Sequence, residues 1–381
     1  MKIVVTGDYC PWERVAKDFS QGDYSAIEAL LPIFSQADYS IVNLECPILH
    51  GGEMPIVKSG PHMHADSRAL EALKGVGTSC VTLANNHFRD FGDEGVLNTL
   101  SELSAYGIDY AGGGSNLSDA AAVLYKKIGN ETLAIVNCCE HESSIASAEH
   151  CGSNPLNPIQ QYYAIQEAKQ KANYVLVIVH GGVEHYQLPP PRMQETYRFF
   201  IDAGADAVIN HHQHCYSGYE IYRGKPIFYG LGNLCFDRSK RNSPWNEGYL
   251  LELTLGKEIE NEGISELVNR SFRLIPYRQC DAEPKVVIYD KDEKRAFEQR
   301  IEELNAIITD SAELQARYEK LLCDTSRRYR FYVEPYRSHL AKFLYRNNFL
   351  PSFMRRKYMV VANVIECESH RERLLDALRR Q

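Results

Sequence analysis

Short runs rich in Val, Ile and Leu recur along the first 210 residues, at Ile3 to Thr6, Tyr39 to Leu44, Cys80 to Ala84, Leu133 to Asn137, Tyr174 to His180 and Ala207 to Asn210. Each has the length and β-branched content of a buried strand. Between them lie stretches with helical spacing of apolar positions, at Ser25 to Gln36, Ser67 to Leu73, Glu94 to Tyr106, Ile159 to Lys171 and Met193 to Ala203. Alternation of this kind predicts an α/β layered domain. After Gly224 the pattern turns to strands, at Pro226 to Gly230, Tyr249 to Leu255, Ser271 to Tyr277 and Val286 to Tyr289, which are expected to form a second sheet packed on the first. From Lys291 onward helical spacing dominates, in Ala296 to Ile308 and Ala312 to Leu322. The expected organisation is therefore a domain over residues 1–290 and a helical, partly basic extension over 291–381.

Polar residues gather where the early strands end: Gly7-Asp8, Asn43-Leu44-Glu45, Asn85-Asn86-His87, His180-Gly181-Gly182 and Asn210-His211-His212-Gln213-His214. In open α/β sheets the crevice at the carboxyl ends of the strands is the usual ligand site, so these five ends point to one place. Three imidazoles within four residues are poorly explained by packing, since each ring needs a polar partner. In an extended segment His212 and His214 project to the same side. Asp8 and Glu45 follow apolar strands directly, where an unpaired carboxylate is costly to desolvate and a cation removes that cost. Asn86 offers a neutral carbonyl oxygen, and His180 ends the most apolar strand. A mixed set of oxygen and imidazole donors suits Mn, Zn or Fe. His87, if kept off the metal, can protonate a leaving group, with Asp90 three residues on to orient it. Glu184 and His185, which follow His180, and His211, beside His212, lie close enough in sequence to support these ligands or add a donor.

Composition narrows the class. Hydrophobic residues make up 44% and charged residues 24% of 381, ordinary values for a folded chain rather than a disordered one. A net charge of -8 gives no global reason to expect nucleic acid. The N-terminus turns from a short apolar run into Gly7-Asp8, which reads as a first strand rather than a signal peptide, and no window approaches a membrane helix, so the expected compartment is the cytoplasm. The eleven cysteines include no Cys-x-x-Cys pair and read mostly as reduced, buried small hydrophobes. One local departure stands out. Between Thr325 and Lys357 the chain holds Arg327, Arg328, Arg330, Arg337, Lys342, Arg346, Arg355, Arg356 and Lys357 against one acid, Glu334, interleaved with aromatic residues. That segment reads either as a surface meeting an anionic membrane or acidic polymer, peripheral to the inner face of the membrane, or as a helical appendage docked on the acidic main domain.

The ordered set Gly7-Asp8, Asn43-Leu44-Glu45-Cys46-Pro47, Ala84-Asn85-Asn86-His87-Phe88-Arg89-Asp90-Phe91-Gly92, His180-Gly181-Gly182-Val183-Glu184, Gly204 to His214 and Tyr229-Gly230-Leu231-Gly232-Asn233 resembles the motifs of the CapA family of capsule and poly-γ-glutamate biosynthesis proteins, within the calcineurin-like metallophosphatase superfamily. The resemblance runs from about residue 1 to 240. It implies a four-layer α-β-β-α sandwich with two divalent metal ions at the strand ends. Asp8 and His214 would serve one ion, Asn86, His180 and His212 the other, and Glu45 would bridge them, with His87 and Asp90 as general acid and its partner. Three departures mark this chain: Tyr9-Cys10 where the superfamily's phosphatases carry a second ligand two residues after the Asp, so that either the first metal loses a ligand or Cys10 replaces it as a thiolate; Glu45 in place of a bridging Asp; and Asn210 and Gln213 in place of Gly and Pro. The implied activity is hydrolysis of an amide or phosphoester in an anionic polymer, peptide or phosphoester substrate. A non-catalytic polymer-binding subunit of a capsule synthesis or export complex, and a metal-assisted epimerase, are the alternatives.

Overall fold

The computed structural model describes every residue except 239–243, 257–269, 356, 367–369, 371–373, 375–377 and 379–381. Arg356 of the basic segment and the far end of the expected helical extension thus lie outside the described residues. In chain order the first elements are β1 (Lys2–Tyr9), α1 (Glu13–Ser20), a 3-10 turn (Ser25–Leu30), α2 (Leu31–Phe34), β2 (Tyr39–Leu44), α3 (Arg68–Gly75), β3 (Cys80–Thr82), α4 (Gly92–Tyr106) and β4 (Asp109–Ala111). Next come β5 (Gly113–Gly114), α5 (Leu117–Ala120), β6 (Leu124–Ile128), β7 (Glu131–Cys139), β8 (Gly152–Ser153), α6 (Pro158–Lys171), β9 (Tyr174–His180), α7 (Pro191–Asp202) and β10 (Ala207–His211). The remainder is β11 (Tyr219–Tyr222), β12 (Lys225–Phe228), β13 (Asn233–Cys235), β14 (Glu247–Leu255), β15 (Arg270–Gln279), β16 (Val286–Ile288), α8 (Lys291–Thr309), α9 (Ser311–Arg330), a 3-10 turn (Phe331–Val333), α10 (His339–Arg346) and α11 (Tyr358–Glu366).

Two large sheets result, with strand orders β16-β15-β14-β1-β2-β3-β4 and β11-β12-β10-β9-β7-β6; β13 pairs with β1 off the first path, and β5 with β8 form a separate ribbon. The strands β1 to β4 run parallel, as do β7, β9, β10 and β12, with helices covering every crossover but that from β10 to β12, which runs through β11. Side-chain alternation assigns the layers. Ile3, Val5 and Ile41 from the first sheet meet Leu133, Ile135, Leu176, Ile178 and Ile209 from the second, forming the inter-sheet core. Their neighbours Val4, Val42 and Val81 point the other way, onto Val15, Phe19, Leu70, Leu73 and Leu103 of the first helical layer. On the far side, Val136, Val175, Val177 and Val208 pack on Ile165, Ala168, Tyr197 and Phe200 of α6 and α7. The fold is an α-β-β-α sandwich, two sheets face to face between two helical layers. Strands buried on both faces read as continuous apolar runs, which is why the sequence displays them plainly.

The later strands do not make a second sheet of their own. Instead β14, β15 and β16 extend the first sheet antiparallel from the edge of β1, whereas β11 and β12 join the second, whose centre comes from β7, β9 and β10. Apolar alternation signals a strand but not the edge it will find. The helix expected over Ser25 to Gln36 is broken into a 3-10 turn and α2 because Pro32, at the start of α2, has no N–H to continue an earlier turn.

The chain divides into two compact units, Met1–Leu314 and Gln315–Gln381. The boundary expected at 290 falls inside the first. Helix α8 begins with a capping box of Asp290 and Glu293 and places Phe297 and Ile301 in the inter-sheet core. In the second unit Glu334, the lone acid of the basic segment, is buried and accepts hydrogen bonds from Tyr345 Oη at 3.1 Å, Tyr358 Oη at 2.5 Å, the Phe353 amide at 2.9 Å, the Met354 amide at 3.2 Å and the Ser352 hydroxyl. Every described cysteine except Cys323 is buried. No helix among the described residues is long and apolar enough to cross a membrane.

Candidate metal centre

Parallel pairing brings the polar strand ends together. Asp8, near the end of β1, sits in register with Asn43 of β2 and Asn233 of β13; His180 ends β9 in register with His211 of β10. Glu45 follows β2 directly and Asn86 lies in the loop after β3. Donor atoms of Asp8, Glu45 and His214 all lie within 4.8 Å of one another, and so do those of Glu45, His180 and His212. Asn86 joins the second group, its Oδ1 lying 3.0 Å from His180 Nε2. Glu45 belongs to both, with Oε1 3.5 Å from His180 Nε2 and 3.6 Å from His214 Nε2.

The histidine segment achieves this differently from the extended run expected. Strand β10 stops at His211, and His212 and His214 then adopt φ values of 90° and 53°, a region that side chains other than glycine rarely occupy. These left-handed turns send the two rings to different donor groups, and such strain is typically held at working sites. His211 itself turns away. Its Nε2 lies 2.8 Å from the Thr6 carbonyl oxygen, and burial pushes its pKa down to about 4.

The electrostatics of the centre are those of a site made for a cation. Glu45 is wholly buried, and neither carboxylate oxygen has a hydrogen-bond partner. Burial, then the nearby Asp8, pushes its carboxyl well above the ordinary range. Burial also lifts Asp8 to about 7, against the opposing pull of Asn43 and the His212 amide. His180 and His214 are driven well below the usual imidazole value by burial and by neighbouring imidazoles, which keeps them neutral with lone pairs free to ligate. His180 Nε2 faces His212 Nδ1 at 3.1 Å. Two orphaned carboxylate oxygens among neutral imidazoles carry a large desolvation cost that a divalent metal would remove, so the residues present fit such an ion.

Two amides hold the donors in place. Asn43 Nδ2 donates to Asp8 Oδ1 at 2.7 Å and lies 3.3 Å from His180 Nδ1, while its Oδ1 accepts from Thr82 Oγ1. Asn233 Oδ1 lies 2.9 Å from His214 Nδ1, and its amide donates to the Trp245 carbonyl. Partners of this kind fix ring orientation at metal sites. Both lie within the sequence motifs, yet nothing in the sequence distinguishes them from turn-forming Asn.

His87 lies among the imidazoles around His180 and His214. Its Nδ1 lies 2.7 Å from Asp90 Oδ2, which also accepts from the Met63 amide. Lys58 Nζ forms a close ion pair with Asp90 Oδ1 and lies 3.3 Å from His87 Nδ1. Sequence reasoning misses Lys58, which sits in an irregular loop without periodicity.

The remaining candidates lie outside the donor groups. Cys10 packs in the helix-side core against Cys46, and burial, then the bond to Cys46, pushes its thiol well above the ordinary range. Its sulfur lies outside both donor groups, so Cys10 does not fill the place of the missing ligand beside Asp8. Glu184 and His185 are exposed at the rim, the His185 ring 6.2 Å from that of His214 and 5.6 Å from Trp245. A further rim acid, Glu142, reaches to 4.0 Å from His212 Nε2 and has no signal in the sequence pattern.

Residues 2–238 match the family described as "Bacterial capsule synthesis protein PGA_cap". The capsule biosynthesis protein CapA of Bacillus anthracis is 33% identical over 183 residues, covering 46% of this chain and 44% of that protein. The PGA biosynthesis protein CapA of Bacillus subtilis (strain 168) is 33% identical over 180 residues, covering 46% of this chain and 47% of that one. The matches thus span about half the length of these curated relatives. Among solved structures, a putative 5'-nucleotidase from Staphylococcus aureus aligns with a TM-score of 0.43 at 15% identity, over 78% of this chain and 57% of that one.

Proposed function

The chain belongs to the PGA_cap family of bacterial capsule synthesis proteins, and on that premise we propose that it is a hydrolase, dependent on two divalent metal ions, that cleaves an amide or phosphoester bond in the making of a capsular or poly-γ-glutamate polymer. The observation that carries this reading is Glu45, a buried carboxylate with two unpartnered oxygens shared between two donor groups. Asp8, Glu45 and His214 would hold one ion, and Glu45, Asn86, His180 and His212 the other. When bound, such ions supply Lewis acidity toward a carbonyl or phosphoryl oxygen.

The chain's own groups supply the rest. Asp90 occupies His87 Nδ1, which leaves Nε2 to carry the proton that a leaving amine or alkoxide needs. Lys58 holds the other Asp90 oxygen in a close ion pair, which fixes the carboxylate that orients the His87 ring. Asn43 fixes Asp8 and His180 together, so one amide sets the spacing across β1, β2 and β9.

Metal analysis together with an activity panel tests the proposal. Chain reconstituted with Mn or Zn should hold the metal stoichiometrically and turn over at least one γ-glutamyl peptide, simple amide or phosphoester. His87→Ala should keep its metal and lose about 10²–10⁴-fold in turnover, the usual contribution of a general acid. No bound transition metal, with no gain on reconstitution, would sink the reading. Deuterium entering an α-carbon of recovered substrate without bond cleavage would replace it with epimerisation.

A further inference from the structure

The C-terminal unit carries a feature that the metal centre does not use. Helices α9 and α10 enclose a cleft of about 670 Å3 lined by Arg327, Arg328, His339, Lys342, Phe343 and Arg346. Among the described residues none of its arginines or Lys342 forms an ion pair, and Asp324 at the edge is taken by Lys320 at 2.6 Å. The cations lean on aromatic rings and a backbone carbonyl instead: Arg327 lies 4.8 Å from the centroid of Tyr345 and donates to its carbonyl at 2.5 Å, and Lys342 lies 5.1 Å from the centroid of Tyr332. Arg328, bonded to the Tyr332 phenol, draws it below its ordinary value against the effect of burial, with Lys342 adding to the shift. Unpaired cations gathered at one cleft are held against their mutual repulsion, and an oxyanion is the ligand that relieves it.

The same unit exposes apolar side chains. On α10, Lys342 and Arg346 share one face at a spacing of four, while Leu340 and Phe343, three apart, are 67% and 60% exposed. Phe349 and Phe353 just beyond are 71% and 66% exposed. A soluble acidic polymer would satisfy the cations but give these side chains nothing to bury. A lipid interface satisfies both, with phosphates at the level of the cations and the acyl boundary below.

We propose that this face of the C-terminal unit docks on an anionic phospholipid surface, with Arg327, Arg328, Lys342 and Arg346 taking the lipid phosphates while Leu340 and Phe343 enter the acyl boundary. The proposal stands apart from the hydrolase reading, since vesicle binding and metal content are measured separately.

Flotation of the full chain with vesicles tests it. The chain should float with phosphatidylcholine vesicles containing phosphatidylglycerol and not with phosphatidylcholine alone, and added salt should weaken the binding. Each cation near an anionic surface contributes about fivefold, so Lys342→Ala with Arg346→Ala should lower partitioning about twenty-five-fold. Leu340→Ser with Phe343→Ser should also lower it, but with the salt dependence kept. Circular dichroism and metal content, unchanged in both variants, exclude a folding defect. Equal flotation with the two vesicle types, or no response to the cation substitutions, would overturn the proposal. Soluble poly-glutamate bound through Lys342 and Arg346, with no vesicle binding, would overturn it in favour of an acidic polymer.

Discussion

At the scale of single residues, Glu45 and His214 are expected to behave differently although both are donors. Glu45→Gln removes the carboxylate common to both groups, so metal bound per chain should fall at both positions; His214→Ala takes a donor only from the group that includes Asp8, and should empty that position while sparing the other. Elemental analysis of the purified variants distinguishes these outcomes, and full metal retention by Glu45→Gln would refute the shared role. The first group is also the poorer one, with three side-chain donors and Cys10 turned into the core, so it should lose metal first on dialysis against chelator. The donors themselves were legible in the sequence, because a carboxylate or imidazole directly after an apolar strand has few other reasons to be there. Asn43, Asn233 and Lys58 were not. What they do depends on which distant atom meets their amide or ammonium group, as with Lys58 and Asp90, thirty-two positions apart.

At the scale of elements, the close contact of β1 with the Gly232 turn sets the position of Asp8. The Asp8 amide donates to the Gly232 carbonyl at 3.1 Å, and a Cβ built on Gly7 would fall 1.8 Å from that oxygen. Gly7→Ala cannot be relieved by a side-chain rotation, since the obstacle is backbone; it should cost about 1–3 kcal/mol or more and shift Asp8, seen as a lower melting temperature together with weaker metal retention. In the C-terminal unit, Glu334 ties the turn after α9 to the residues around Ser352. Burial raises its carboxyl, but the hydrogen bonds from Ser352, Tyr358, Phe353 and Tyr345 outweigh this and hold it below its ordinary 4.5. A carboxyl depressed in the folded state stabilises the fold above its unfolded-state value, and that stability is lost as pH falls through the folded-state value. Protection of the Phe353 and Met354 amides against exchange, taken relative to their intrinsic rates at each pH, should therefore fall below about pH 4.5. Glu334→Ala should bring the same loosening at neutral pH, about 1–3 kcal/mol for donors left unsatisfied. Unchanged exchange in that variant would show that the cradle does not hold the unit together. The sequence displayed Glu334 only as a lone acid among cations. That its partners are hydroxyls and amides, not the arginines around it, is a tertiary fact.

At the scale of the whole molecule, the first unit needs α8. A chain ended at residue 290 lacks Phe297 and Ile301 from the inter-sheet core, and Ile308 and Leu314 from the core beneath α6 and α7. Each such deletion commonly costs 2–5 kcal/mol, so that chain should melt far below one ended at residue 314, which keeps them all. Equal melting temperatures would show α8 to be dispensable. The net charge of -8 conceals an uneven distribution, since the basic residues of the 325–357 segment are set against acids elsewhere in the chain. Charge summed over the chain therefore says little about which surface meets which partner.

The sequence by itself determined the strands buried on both faces, the convergence of their polar ends and the resemblance to a capsule-synthesis family, because apolar runs and the residues that end them are local features. Only the tertiary structure decided that β14 to β16 would complete the first sheet, that His212 and His214 would part through left-handed turns, that Cys10 would face the core, and that Glu45 would be left with two unpartnered oxygens between two groups of donors. Each of those outcomes depends on which distant segment comes to lie alongside, and strand pairing and burial are settled by the packing of the whole chain.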